Sequence, residues 1–114
     1  MDPLQVIVTM HIHAGKSEEL KNIATKCMAS SREKDPGTLQ YDWYFNPDET
    51  VCTVIERYQS SEALLAHIGN LGELFGQILA ITDFYPAVFG EPSEALVQAT
   101  AALQPKVHQL YQAL

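Results

Sequence analysis

Positive charge is what this chain has least of. Seven Lys and Arg stand against fourteen Asp and Glu, a formal net charge of −7. Phosphate backbones and anionic membranes need a positive field, and no basic run or basic amphipathic stretch supplies one locally. Neither nucleic acid nor a membrane is an expected partner. Cysteine is scarce as well: Cys27 and Cys52 share no C-x-x-C spacing. Neither a disulfide framework nor a zinc site follows, and both read as small, reduced, half-buried residues of a cytosolic protein. No apolar run is long enough for a membrane span, and Met1-Asp2-Pro3 starts with an acid where a signal peptide would be basic. The expected location is the cytoplasm. No Ser-His-Asp order, phosphate loop or nucleotide fingerprint occurs.

What is present is ordinary globular material: 114 residues, 46% apolar and 18% charged, enough for one domain with one core. A domain this small leaves roughly a third of its unfolded surface exposed, which favours pairing with a second copy.

Leu4, Val6, Val8, Met10 and Ile12 alternate with Gln5, Ile7, Thr9, His11 and His13, the period of a strand with one apolar face. Gly15 breaks it. Ser17-Glu18-Glu19 reads as a helix start, with a capping hydroxyl and acids on the positive end of the dipole. Leu20, Ile23, Ala24, Cys27 and Ser31 form that helix's buried stripe, and Asp35-Pro36-Gly37 ends it. Thr38 to Phe45 and Val51 to Tyr58 are two strands joined by the turn Asn46-Pro47-Asp48-Glu49. Ser60 and Ser61 cap a second helix, whose Leu64, Ile68, Leu71, Phe75 and Ile78 share a face. Gly69, Gly72 and Gly76 predict a kink or a division there. Ile81 to Phe89 is the last strand, with Pro86 implying an edge position or a bulge. Beyond it, Pro92-Ser93-Glu94 opens a short helix that Pro105 stops. Val107, Leu110, Tyr111 and Leu114 then repeat at helical spacing, so this tail is expected to dock.

Strand–helix–strand–strand–helix–strand is the split βαβ, ferredoxin-like arrangement, an α+β fold with a four-stranded antiparallel sheet. Residues 1–90 are expected to form that domain and 91–114 a C-terminal helical extension of it. Helices on one face leave the other face of the sheet to be covered, which points to a homodimer.

Asp35-Pro36-Gly37-Thr38-Leu39-Gln40-Tyr41-Asp42, then Val54-Ile55-Glu56-Arg57-Tyr58, then Ser61-Glu62-Ala63 and His67, resemble the antibiotic biosynthesis monooxygenase family in order and spacing, over roughly residues 4 to 90. The resemblance implies a dimeric α+β barrel in which two four-stranded sheets face each other and each subunit keeps a pocket between sheet and helices. It also implies a small aromatic, quinol-like substrate oxidised by molecular oxygen without a metal or organic cofactor. A haem-binding or other apolar-ligand-binding use is the alternative within the same family. Tyr58 stands where the family very often has tryptophan, and of the residues used by haem-degrading members only His67 matches outright.

Cofactor-free oxygenation needs a pocket that excludes water, a proton acceptor, and donors for the resulting anion. His67 lies about 60° from the centre of its helix's apolar face, at the border of core and pocket. It is a candidate for proton transfer together with Tyr58; a satisfied structural histidine is its plain use. His11 is a candidate pocket donor. His11 and His13 with Glu56 would suit a metal only if all three converged, and no metal is expected. Trp43 and Tyr44, on opposite faces of their strand, are candidate substrate contacts or else core and dimer contacts. Glu56 shares a face with Cys52, Val54 and Tyr58 that by the resemblance looks into the pocket, which makes it a candidate substrate contact, and if buried it needs a partner.

Overall fold

A computed structural model describes residues 3–114. The elements are β1 (Leu4–Ile12), α1 (Ser17–Lys34), β2 (Thr38–Phe45), β3 (Val51–Tyr58), α2 (Ser61–Leu71), α3 (Glu73–Ile81), β4 (Thr82–Phe89), α4 (Glu94–Ala99), a single 3-10 turn (Ala101–Leu103) and β5 (Lys106–His108). The sheet order is β2-β3-β1-β4-β5. The first four strands pair antiparallel in the ferredoxin-like order, and β5 adds to β4 in parallel. The expected four-stranded antiparallel sheet is thus a mixed five-stranded one.

The period-two pattern sorts the sheet into two faces. The inner face carries Val6, Val8 and Met10 from β1, Tyr41 and Trp43 from β2, Cys52, Val54, Glu56 and Tyr58 from β3, and Val88 from β4, in cross-strand register. Leu20, Ile23 and Cys27 of α1, Leu64 and Leu71 of α2, Ile78 and Ile81 of α3 and Leu96 of α4 pack with this face into one core. The outer face carries Thr9, His11, Tyr44, Arg57 and Tyr85, and among the described residues no element covers it.

The buried stripe of α1 is the expected one, Leu20, Ile23, Ala24, Cys27 and Ser31. Its start differs: Ser17 is the first helical residue and caps nothing, its hydroxyl turning instead to Glu49 Oε1 at 3.3 Å. Ser60 does cap α2, accepting from the Ala63 amide at 3.2 Å. The second helix divides at Gly72, whose φ of 55° suits glycine, and α2 and α3 meet at 82°. That bend wraps Leu64, Ile68, Leu71, Phe75 and Ile78 around one space. Gly37 is needed for a different reason: a Cβ there would lie 2.6 Å from that of Ala63, so glycine lets the β2 turn press onto α2. Pro86 sits on the part of β4 that β5 does not reach, an edge as its missing N–H requires.

The tail departs most from expectation. α4 and the 3-10 turn form, but Lys106–His108 is a strand, and residues 109–114 have no regular structure. Val107 pairs with Val88 yet stays about half exposed, and Leu110, Tyr111 and Leu114 are exposed further. Ten residues are too few to nucleate a helix alone, and the β4 edge offers backbone bonds directly, as in Gly90 N–H to His108 O at 2.9 Å. Among the described residues no single helix is long and apolar enough to cross a membrane.

Candidate functional site

Between the inner face of the sheet and α2, α3, α4 and the turn after it lies a cavity of about 310 Å³. That is at the small end of ligand pockets, which run to roughly 1,000 Å³. Its walls are mainly aliphatic and aromatic: Val8, Met10, Leu71, Phe75, Phe84 and Leu96 are typical. The titratable side chains lining it are Tyr41, Glu56 and His67.

Glu56 faces inward because β3 alternates, and its cross-strand neighbours are Val6 and Tyr41. No cation accompanies it. Burial therefore pushes its carboxyl up to about 7, partly offset by the hydrogen bond that Tyr58 Oη–H donates to Oε1. Tyr58 is fully buried beneath Glu56 and does not line the cavity. Burial and the adjacent carboxyl hold its phenol far above the ordinary range. Expected for proton transfer and orientation, Tyr58 thus meets the cavity only through its bond to Glu56.

His67 comes from the middle of α2 and is nearly inaccessible. Its Nδ1 lies 2.9 Å from Asp35 Oδ2 and 3.3 Å from Ser31 Oγ. A carboxylate only accepts, so Nδ1 carries the proton and Nε2 keeps its lone pair. Burial lowers the pKa of the ring, and Asp35 opposes that shift without reversing it. A neutral imidazole with an oriented acceptor nitrogen results. Asp35 is itself secured: Asn70 Nδ2–H donates to Oδ1 at 2.5 Å, and the Asp35 carbonyl accepts from the Thr38 amide at 3.1 Å. The rings of Tyr41 and Tyr58 approach His67 with centroids at 4.7 Å and 5.4 Å.

Trp43 lines the cavity, as expected, and its buried Nε1–H has no partner among the described residues. His11 and Tyr44 do not line it. Both stand on the outer face, His11 edge-on to Tyr85 at 5.5 Å and Tyr44 about half exposed, because the same alternation that turns Met10 and Trp43 inward turns them out. His13 pairs with Asp83 at 3.0 Å on the surface. His11, His13 and Glu56 therefore do not converge. Both cysteines are buried, and burial pushes their thiols up to about 11 and about 12.

Asp35, Ser31 and Asn70 are the site residues that sequence reasoning missed. Asp35 reads as part of a helix-stopping turn and Ser31 as stripe. The usable signal was His67-x-x-Asn70, a spacing that puts two polar side chains on one helix face next to a buried acid.

An α+β domain with a ferredoxin-like strand order and two buried hydrogen-bonded pairs, Glu56 with Tyr58 and His67 with Asp35, beside an apolar cavity is the class these features define. The antibiotic biosynthesis monooxygenase family model matches residues 3–71, and the chain belongs to that family. The match ends with α2, so Asp35, Glu56, Tyr58, His67 and Asn70 all fall within it. Among solved structures, MupZ from Pseudomonas fluorescens is 22% identical with a TM-score of 0.86, over 100% of this chain and 94% of that one. Rv0793 from Mycobacterium tuberculosis is 22% identical with a TM-score of 0.70, over 82% of this chain and 99% of that one. PA3566 from Pseudomonas aeruginosa is 23% identical with a TM-score of 0.69, over 82% and 97%. At these identities the likeness is one of fold. A comparison with curated proteins finds no match.

Proposed function

We propose that this protein is a cofactor-independent monooxygenase acting on a small aromatic, quinol-like or anthrone-like substrate inside the cavity. One observation carries the reading. Two groups able to exchange protons, His67 and Glu56, line one apolar cavity, each held on its far side by a buried partner. His67 Nε2 takes a proton from the substrate, and Asp35 stabilises the imidazolium that forms. The protonated form of Glu56 donates to the substrate oxygen on which negative charge develops. The apolar walls exclude water and strengthen both interactions. The substrate anion then gives electrons to dissolved oxygen. For an anthrone, one oxygen atom becomes the new carbonyl and the other leaves as water with the two methylene hydrogens. The outer face, with Ile7 and Ile55 half-buried and Tyr44 and Tyr85 exposed, is where a second copy would pack to make the homodimer.

Oxygen uptake with a panel of quinols and anthrones is the test. Turnover that falls at least about a hundredfold in His67→Ala is expected. No turnover with any member, or undiminished turnover in the variant, rejects the mechanism. A monomer in sedimentation at micromolar concentration rejects the pairing.

A further inference from the structure

Nothing in the site's geometry requires oxygen for the proposed proton transfers themselves. Nδ1 of His67 is bound to Asp35 and Ser31, which leaves Nε2 as the nitrogen able to act on a cavity ligand. Oε1 of Glu56 is bound to Tyr58, which leaves the other carboxyl oxygen for the ligand. The two groups are close neighbours, since Tyr58 bonds to Glu56 and its ring lies 5.4 Å from that of His67. An acceptor and a donor that address one ligand, in walls otherwise mainly apolar, match the two ends of a ketone: its α-carbon hydrogen and its carbonyl oxygen.

We propose a second, oxygen-independent activity of this cavity, resting on the same reading of it as a proton-transfer site: reversible enolisation of compact, apolar, ring-fused ketones. His67 Nε2 removes the α-proton, breaking the C–H bond, and its electron pair forms the C=C bond of the enol. The carbonyl π pair moves to oxygen, which receives the proton of Glu56. The return step reverses each transfer, with the proton on His67 going back to carbon. No electron is lost and no co-reactant enters. A ketone able to be reprotonated at a second carbon would leave as its isomer. The charged and titratable groups around the pair are Asp35 behind His67, Tyr58 behind Glu56, and Tyr41 between them on β2, with Cys27 from α1 against Tyr41. None of these is a cation, so nothing there would favour a fully formed enolate over the protonated enol.

The experiment uses β-tetralone in argon-purged deuterium oxide, with loss of the α-proton signal followed by NMR. Exchange about a hundredfold above buffer is expected for the wild type. His67→Gln and Glu56→Gln, checked for folding by circular dichroism, should each lose most of it; the second keeps an oxygen for Tyr58 to bond. Exchange no faster than buffer, or exchange retained in both folded variants, overturns the proposal. Oxygen uptake with anthrone, run in parallel, separates the two readings. Uptake without anaerobic exchange overturns the enolisation alone, and exchange without uptake supports it while rejecting the oxygenase.

Discussion

The stretch through Leu71 and the stretch after it build one cavity and differ in what they bring to it. The first supplies Ser31, Asp35, Tyr41, Glu56, Tyr58, His67 and Asn70, the titratable and hydrogen-bonding side chains around the proposed proton transfers. The second supplies Phe75, Ile78, Phe84, Val88 and Leu96, and its polar lining residues are Thr100 and Gln104. The Thr100 hydroxyl already donates to the Leu96 carbonyl at 2.8 Å. The family match ends at residue 71, just past Asn70, the last of the first set. On the proposed mechanism, chemistry and selectivity sit on separable parts of this chain. Substitutions before residue 72 should change kcat and pH dependence, and those after it should change KM and substrate range.

The largest effect should come from His67. His67→Ala removes the acceptor and leaves Asp35 buried with only Asn70. A fall in kcat of about 10² to 10⁴ is expected in oxygen uptake, with a stability loss of about 1–3 kcal/mol for the unpaired carboxylate. A variant that lowers only the affinity would place His67 with the walls and break the division.

Glu56 offers the next effect, in stability and with a definite sign. Its folded pKa is raised from 4.5 to about 7, so between those values the folded state binds more protons than the unfolded state. Stability from this group is full below pH 4.5 and is lost as pH rises to 7. At 1.36 kcal/mol per unit, the loss is on the order of 3 kcal/mol. His67 works in the opposite direction: its folded pKa is lowered, so its contribution is full above 6.5 and is lost as pH falls. Between pH 4.5 and 7, urea midpoints should therefore decline less with rising pH in Glu56→Gln than in the wild type. An unchanged slope would mean that Glu56 is paired or solvated.

Beyond the division, Leu96→Ala should cost about 2–3 kcal/mol, since Leu96 is 2% exposed and α4 has no other buried residue to hold it on α2. Enlarging the cavity should raise KM for small substrates and admit larger ones, with kcat within about threefold of wild type if only binding changes. Asp35→Asn is the matching change on the other side. It keeps an acceptor for Nδ1 and removes the charge that holds the His67 pKa up, so the acid limb of the kcat/KM profile should move to lower pH while KM stays put.

Much of this was legible in the sequence, and the failures have physical causes. Alternation in β1, β2 and β3 placed Glu56 and Trp43 inward, because period two is a local property of a strand. The stripe of α1 was readable for the same reason. Alternation also put His11 and Tyr44 on the outer face, away from the cavity that their donor and aromatic chemistry had suggested for them. Asp35 was hidden because its partner His67 is 32 residues away. The tail misled since helical spacing over ten residues carries no information about a nearby sheet edge, and β4 supplied one.

The smallest effect tests the division most finely. Gln104 lines the cavity and joins the 3-10 turn to β5 in a left-handed conformation, φ 51° and ψ 53°. That conformation costs a residue with a Cβ roughly 1 kcal/mol, and glycine avoids the cost while losing more chain entropy on folding. Gln104→Gly should therefore raise stability by no more than about 0.5 kcal/mol in urea titrations. It also removes the side-chain amide that the later stretch presents to a ligand. If that stretch selects and does not react, KM should rise while kcat and its pH profile stay unchanged. A fall in kcat with unchanged KM would put a reacting group beyond Leu71 and dissolve the separation between the two parts of the cavity.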